Sequence, residues 1–205
     1  MEGFGSAVIL AGGRSTRMGF DKQLLKMDDK RVCHHLIALL CTRFDDIMVA
    51  TRTPHLYADE DVRIIPDIYQ GIGPLGGIHA ALVYAKSEAV FTVACDMPFL
   101  ALPYIDYMMS QMEGRPYDAC VTRREGHLET LHAFYCRSAL PVLDDAVSQG
   151  RYSVHRFTQE INALVIPQET AAPFLPNWLA FTNINTPEEY EMFLQQMRTP
   201  LFGVL

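Results

Sequence analysis

The chain has 205 residues, 49% of them hydrophobic and 20% charged, a balance that fits one globular domain with a core large enough to fold by itself. Its net charge of −7 excludes nucleic acid or a membrane surface as a partner held by bulk charge, so any anion site must be local. No apolar run reaches the ~18 residues that cross a bilayer. The opening MEGFGS lacks the basic segment and apolar core of a signal peptide, and a cytoplasmic protein is expected. Five cysteines (33, 41, 95, 120 and 136) contain no C-x-x-C and read as reduced thiols rather than disulfides or zinc ligands. His34-His35 lies in an apolar helical pattern and reads as packing or surface.

The first element is an apolar strand, Ala7 to Leu10, that stops at Ala11-Gly12-Gly13. Arg14, Arg17, Gly19 and Asp21-Lys22 follow. Paired glycines let a ligand approach the backbone amides closely, and three cations within nine residues suit a polyanion such as a phosphate chain. Gly-Gly alone is equally an ordinary surface turn, but that leaves the clustered cations unexplained. Neither G-x-x-x-x-G-K-[ST] nor G-x-G-x-x-G is present.

Val32 to Phe44 has helical spacing, Ile47 to Ala50 reads as a second strand, and Val62 to Ile65 as a third, closed by Pro66-Asp67. The glycine-rich stretch Gly71 to Gly77 opens a helix to about Lys86. Ala89 to Cys95 is an apolar strand buried on both faces by its pattern, ending at Asp96-Met97-Pro98-Phe99. Pro103 starts another helix, Tyr117 to Thr122 and Leu128 to Tyr135 read as strands, and Leu140 to Ser148 as a helix. Ile161 to Ile166 and Ala180 to Ile184 are the last expected strands. Thr186-Pro187-Glu188-Glu189 is a capping box with proline at the first helical position, launching a closing helix to about Met197.

Strands alternating with helices imply a three-layer α/β/α sandwich on a mostly parallel sheet, with right-handed crossovers and ligands at the carboxyl ends of the strands. Gly12-Gly13, Asp67, Asp96 and Asn185 would all follow strand ends and share one site. Asp96 is the strongest single candidate. A carboxylate just past a buried strand is the hard oxygen ligand that holds Mg²⁺ together with substrate phosphates, although capping the next turn is an equal reading from position alone. Asp67 is likewise a ligand contact or a turn residue. Lys22 is a triphosphate partner or a solvated lysine, and Arg14 and Arg17 can grip phosphate bidentately.

The run LAGGRSTRMGFDK from Leu10 to Lys22 resembles the signature of nucleotidyltransferases of the MobA type, molybdenum cofactor guanylyltransferases that join GMP from GTP to molybdopterin. Asp96-Met97-Pro98-Phe99-Leu100 resembles the metal-binding motif of that family, Gly73-Pro74-Leu75-Gly76-Gly77 its GPLAG loop, and Asn183-Ile184-Asn185-Thr186-Pro187 its closing motif. The resemblance implies a Rossmann-like, nucleotide-diphospho-sugar transferase-like fold as a single nucleotidyltransferase domain over residues 1–205. It implies nucleotide contacts at Leu10, Ala11, Gly12, Gly13, Arg14, Lys22, Asp67, Gly73, Pro74, Leu75 and Asp96. Lys22, Arg17 and Asp96 are then catalytic, Asp96 the Mg²⁺ ligand, and Glu129, Asn183 and Asn185 the acceptor side, with Asn185 open as a second metal ligand. Two departures stand out. Ala50-Thr51-Arg52 lacks the asparagine that often touches the nucleotide, and Glu129-Thr130-Leu131 stands where the family has Glu-Pro-Leu.

The expected function is therefore Mg²⁺-dependent transfer of GMP from GTP to the molybdopterin cofactor, with pyrophosphate released and molybdoenzymes or cofactor-insertion proteins as protein partners. GTP is preferred over CTP because Gly76-Gly77-Ile78 is closer to the guanylyl relatives. The alternatives are a related enzyme using CTP or a sugar- or alditol-phosphate acceptor, and a non-catalytic nucleotide-binding accessory protein.

Overall fold

A computed structural model describes residues 3–12, 22–27 and 30–197. The main sheet gathers β1 (Ser6–Leu10), β4 (Asp46–Ala50), β5 (Arg63–Ile65), β6 (Ala89–Ala94), β7 (Ala119–Arg124), β8 (His127–Cys136) and β9 (Ala163–Pro167). Its order is β5-β4-β1-β6-β8-β7-β9. Every neighbouring pair is parallel except those that β8 makes with β6 and β7. Two short strands, β2 (Lys26–Met27) and β3 (Lys30–Arg31), form a separate antiparallel ribbon.

Alternating side chains divide the core into two layers. Ala7, Ile9, Ile47, Val49, Phe91 and Val93 face one side of the sheet, where α1 (Val32–Leu40), α3 (Leu102–Met112) and α7 (Pro187–Met197) pack. Val8, Leu10, Met48, Ala50 and Val90 face the other, covered by α2 (Pro74–Tyr84), α4 (Leu140–Ser148) and α5 (Val154–Glu160). The helices on both faces make the central strands apolar throughout, and all residues of β1, β4 and β6 are buried. A four-residue helix, α6 (Gln168–Ala171), follows β9.

Several elements differ from the sequence reading. Ala180 to Ile184 is not a strand: Pro176–Phe181 forms tight helical turns in which Asn177 and Trp178 take left-handed backbone (φ 54° and 57°), and the chain then runs past the sheet edge. Its apolar residues Ala180, Phe181 and Ile184 anchor it to the core, and the Ile184 N–H donates to the Asp96 carbonyl at 2.9 Å. That spacing is not the period of two that a half-buried strand requires. Helix α5 has no counterpart among the expected elements. Ser153 caps it by accepting from the Arg156 N–H at 3.3 Å, and Phe157 and Thr158 fill the core side. The short strands β2 and β3 and the four-residue α6 likewise have no counterpart among the expected elements; the remaining expected elements match to within a few residues, and Leu140–Ser148 matches at both ends.

Candidate active site

The registers of the four parallel strands put Ile65, Ala50, Leu10 and Ala94 in one row across the sheet. The chain therefore leaves all four at one level, delivering Asp67, Arg52, Gly12 and Asp96 to the same edge. Strands on either side of β1 connect in different directions, and the gap between their exits is where such sheets open a crevice. A cavity of about 610 Å³ lies there, lined among others by Leu10, Gly12, Lys22, Arg52, Asp67 and Asp96, a size suited to a small-molecule ligand.

Lys22 reaches this edge on a single helical turn, Lys22–Leu24. Its ammonium donates to Asp96 Oδ2 at 2.6 Å and to Asn185 Oδ1 at 2.7 Å. Asp96 is nearly buried, yet its second carboxylate oxygen, Oδ1, has no hydrogen-bond partner among the described residues. A buried carboxylate oxygen without a partner among its described neighbours can serve as a ligand to a hard cation. Among the described residues, no group of three or more His, Cys, Asp or Glu is arranged to hold a metal alone. An ion at Asp96 would have to share its shell with the ligand.

The opposite wall is the Asp67–Gly77 segment. Gly71 and Gly73 have positive φ (78° and 69°), which only glycine adopts without strain. Gly76 is required by space instead, and Gly77 is closely covered by a side chain. A Cβ on Gly76 would lie 2.7 Å from the Tyr69 carbonyl oxygen, and one on Gly77 would lie 2.7 Å from Leu10 Cδ2. Gly12 differs from both: among the described residues, a Cβ there would meet only the Ala50 oxygen, at an ordinary 3.8 Å. Partial burial raises the Asp67 carboxyl above its usual range, and the Arg52 guanidinium opposes that shift. Arg52 also donates to the Gly12 carbonyl at 2.9 Å.

The predicted residues divide accordingly. Leu10, Ala11, Gly12, Lys22, Asp67, Gly73, Pro74, Asp96 and Asn183 line the cavity, and Asn185 joins them through Lys22. Leu75, expected to contact the nucleotide, does not line the cavity with its side chain: the phase of α2 turns it onto the sheet, where it is wholly buried. Asn185 does not follow a strand end, because the segment before it is not a strand. Glu129 is half-buried on β8 outside the cavity wall. Burial raises its carboxyl, against the pull of Arg124 and His127. Next to it the sheet bulges, with Val121 alone facing Thr130 to Ala133. There Leu131 turns to the cavity, while His132 takes left-handed backbone (φ 61°) and is buried completely, which pushes its imidazole down to about 4. Gly13, Arg14 and Arg17 lie outside the described residues. The sequence reading missed Arg52 as a site residue. It follows a strand end just as Asp67 and Asp96 do, and that rule, applied to β4, would have found it.

The crevice opens at the strand ends of a mostly parallel α/β sheet, with a lysine ammonium brought against the carboxylate that follows β6. The MobA-like NTP transferase domain profile matches residues 7–164, and the chain belongs to that family. A molybdenum cofactor guanylyltransferase of Syntrophotalea carbinolica is 41% identical over 194 residues, covering 94% of this chain and 92% of the relative. A protein of Peptoclostridium acidaminophilum, described as a probable molybdenum cofactor guanylyltransferase, is 39% identical over 197 residues, covering 94% and 89%. The fold matches the crystal structure of molybdopterin-guanine dinucleotide biosynthesis protein A from Archaeoglobus fulgidus, with a TM-score of 0.81 at 24% identity over 93% of this chain and 97% of that one. The chain is a nucleotidyltransferase of this family.

Proposed function

We propose that the protein transfers GMP from GTP to the molybdopterin cofactor and releases pyrophosphate. The observation that carries the reading is the Lys22 ammonium held between Asp96 and Asn185 at the mouth of the crevice, beside an Asp96 oxygen that has no partner among the described residues. The acceptor's terminal phosphate oxygen attacks the α-phosphorus. A new P–O bond forms as the bond to the β-phosphate oxygen breaks, and pyrophosphate carries the leaving electrons. No protein nucleophile is required, since positioning and charge neutralisation suffice for phosphoryl transfer. Lys22 stabilises the charge that develops on the α-phosphate, and Arg14 and Arg17 grip the phosphate chain. Leu10 to Gly13 and the Gly73-Pro74 turn hold base and ribose, with Asp67 as a polar contact.

Mg²⁺ fits the Asp96 carboxylate, and when bound it would neutralise the triphosphate. Asn183, Asn185 and Glu129 form the acceptor side. Residues 1–205 act as one such domain. No described helix is long and apolar enough to cross a membrane, and all five cysteines are free thiols; we place the protein in the cytoplasm, delivering its product to molybdoenzymes or cofactor-insertion proteins. Pyrophosphate release measured with each of the four NTPs, with and without molybdopterin, tests the reading. Acceptor-dependent release with GTP is the expected result. Equal release with CTP would overturn the guanylyl assignment, and no release with any NTP would overturn the transferase reading.

A further inference from the structure

Next to Lys22 the structure holds a polar knot that the reaction itself does not use. Gln23 is 5% exposed, and its amide oxygen accepts from three hydroxyls: Thr51 Oγ1 at 2.8 Å, Thr53 Oγ1 at 3.1 Å and Tyr57 Oη at 3.1 Å. The Thr53 N–H closes the group by donating to Thr51 Oγ1 at 3.1 Å. On the main chain, the Cys33 thiol donates to the Gln23 carbonyl at 3.7 Å, and the Val32 N–H donates to the Leu25 carbonyl at 2.8 Å. Tyr57 is itself buried, with the Arg31 guanidinium 5.5 Å from its ring centroid.

Filling this space did not call for polar groups. Apolar side chains at all four positions would avoid the desolvation of an amide and three hydroxyls, and such networks are worth most where they fix one arrangement among several. What this one fixes is visible from its ends. On one side Gln23 and the wholly buried Leu25 root the turn whose other face presents Lys22 to Asp96 and Asn185. On the other, Thr51 and Thr53 flank Arg52, which holds the Gly12 carbonyl across the cavity wall. One amide oxygen thus joins the turn that carries the phosphate-side cation to the loop that braces the glycine turn.

We propose that Gln23 is a positioning residue that sets Lys22 against Asp96 and couples it to the Thr51–Thr53 loop. The inference rests on the transferase reading for its kinetic consequence, but the geometry of Lys22 can be read without activity. The full chain is compared with Gln23→Met, which keeps the length and removes the acceptor, and with Gln23→Glu, which restores an acceptor oxygen. In Gln23→Met, kcat for pyrophosphate release should fall on the order of tenfold or more, with KM for GTP held within about twofold, because a displaced Lys22 is missed mainly in the transition state. Gln23→Glu should recover most of that loss. In a Lys22→Ala background, Gln23→Met should add little. Independently, acetylation of Lys22 by acetic anhydride, read by peptide mass spectrometry against exposed Lys86, should run several-fold faster in Gln23→Met. Unchanged kcat and unchanged Lys22 labelling in Gln23→Met, even with a lowered Tm, would overturn the proposal and leave a purely structural knot. If the parent transfers from no NTP, the functional reading fails, while the labelling still decides whether Gln23 positions Lys22.

Discussion

Gly76→Ala tests how tightly the far wall of the crevice is built. The added Cβ would lie 2.7 Å from the Tyr69 carbonyl oxygen and 3.0 Å from Ile72 Cγ1. Even a close carbon–oxygen contact sits at about 3.3 Å, so something must move by roughly 0.6 Å. The helix cannot yield easily, because Gly77 beside it is already closed against Leu10 and Ala50. Tyr69 cannot yield easily either. Its hydroxyl donates to Asp144 Oδ1 at 3.1 Å, and its ring lies 4.6 Å from that of His79, which is itself 3.0 Å from the same Asp144 oxygen. Overpacking of this kind costs about 1–3 kcal/mol. Replacing helical glycine by alanine returns at most about 1 kcal/mol, and less in the first turn. A net loss of about 1–2 kcal/mol is expected, a fall in Tm of roughly 2–8 °C for a chain of this size. Because Asp67, Gly71 and Gly73 line the cavity, GTP affinity should fall as well. Gly77→Ala is the control: its worst contact is the end of the Leu10 side chain, which can rotate, so the loss should be smaller. Thermal unfolding by circular dichroism with calorimetric GTP binding measures both effects. A Gly76→Ala protein as stable as its parent, or less affected than Gly77→Ala, would refute the reasoning.

Three further outcomes follow from the site. Asp96→Asn should lower turnover at saturating Mg²⁺ by about 10²-fold or more, the scale of losing a principal electrostatic group, with the circular dichroism spectrum unchanged; turnover like the parent would remove Asp96 as metal ligand. Burial holds the Asp67 carboxyl above its unfolded value, so its charge opposes folding once pH rises through the folded pKa. Asp67→Asn should therefore raise Tm at pH 7, lose that advantage below about pH 4, where both states are protonated, and weaken GTP binding; an unchanged pH profile of stability would contradict the burial argument. Asn185→Ala should raise the KM of the acceptor more than the Kd of GTP. The reverse pattern would assign Asn185 to the nucleotide through its bond to Lys22.

The sequence alone was enough for the architecture of the first half of the chain and for the line of the site. Apolar runs of four to seven residues closed by Gly, Pro or Asp are strong local signals, and in a parallel sheet the end of each strand is also the edge where ligands bind, so Gly12, Asp67 and Asp96 could be placed together from strand ends alone. The cation beside them was legible by its clustering. The last third depended on contacts between distant residues. Ala180 to Ile184 is apolar enough for a strand, but its partners are Asp96 and the core face under α3 and α7 rather than a ladder, and no local pattern encodes that choice. The same holds for Leu75, turned away from the cavity by the phase of its helix, and for Leu131 and His132, sent to opposite sides by a bulge. It holds most of all for Lys22 with Asn185, 163 positions apart, and for Gln23 with Thr51, Thr53 and Tyr57. A hydrogen bond between residues far apart in sequence exists only once the sheet has set their separation, so the chemistry of the individual groups was readable beforehand and their partnerships were decided by the fold.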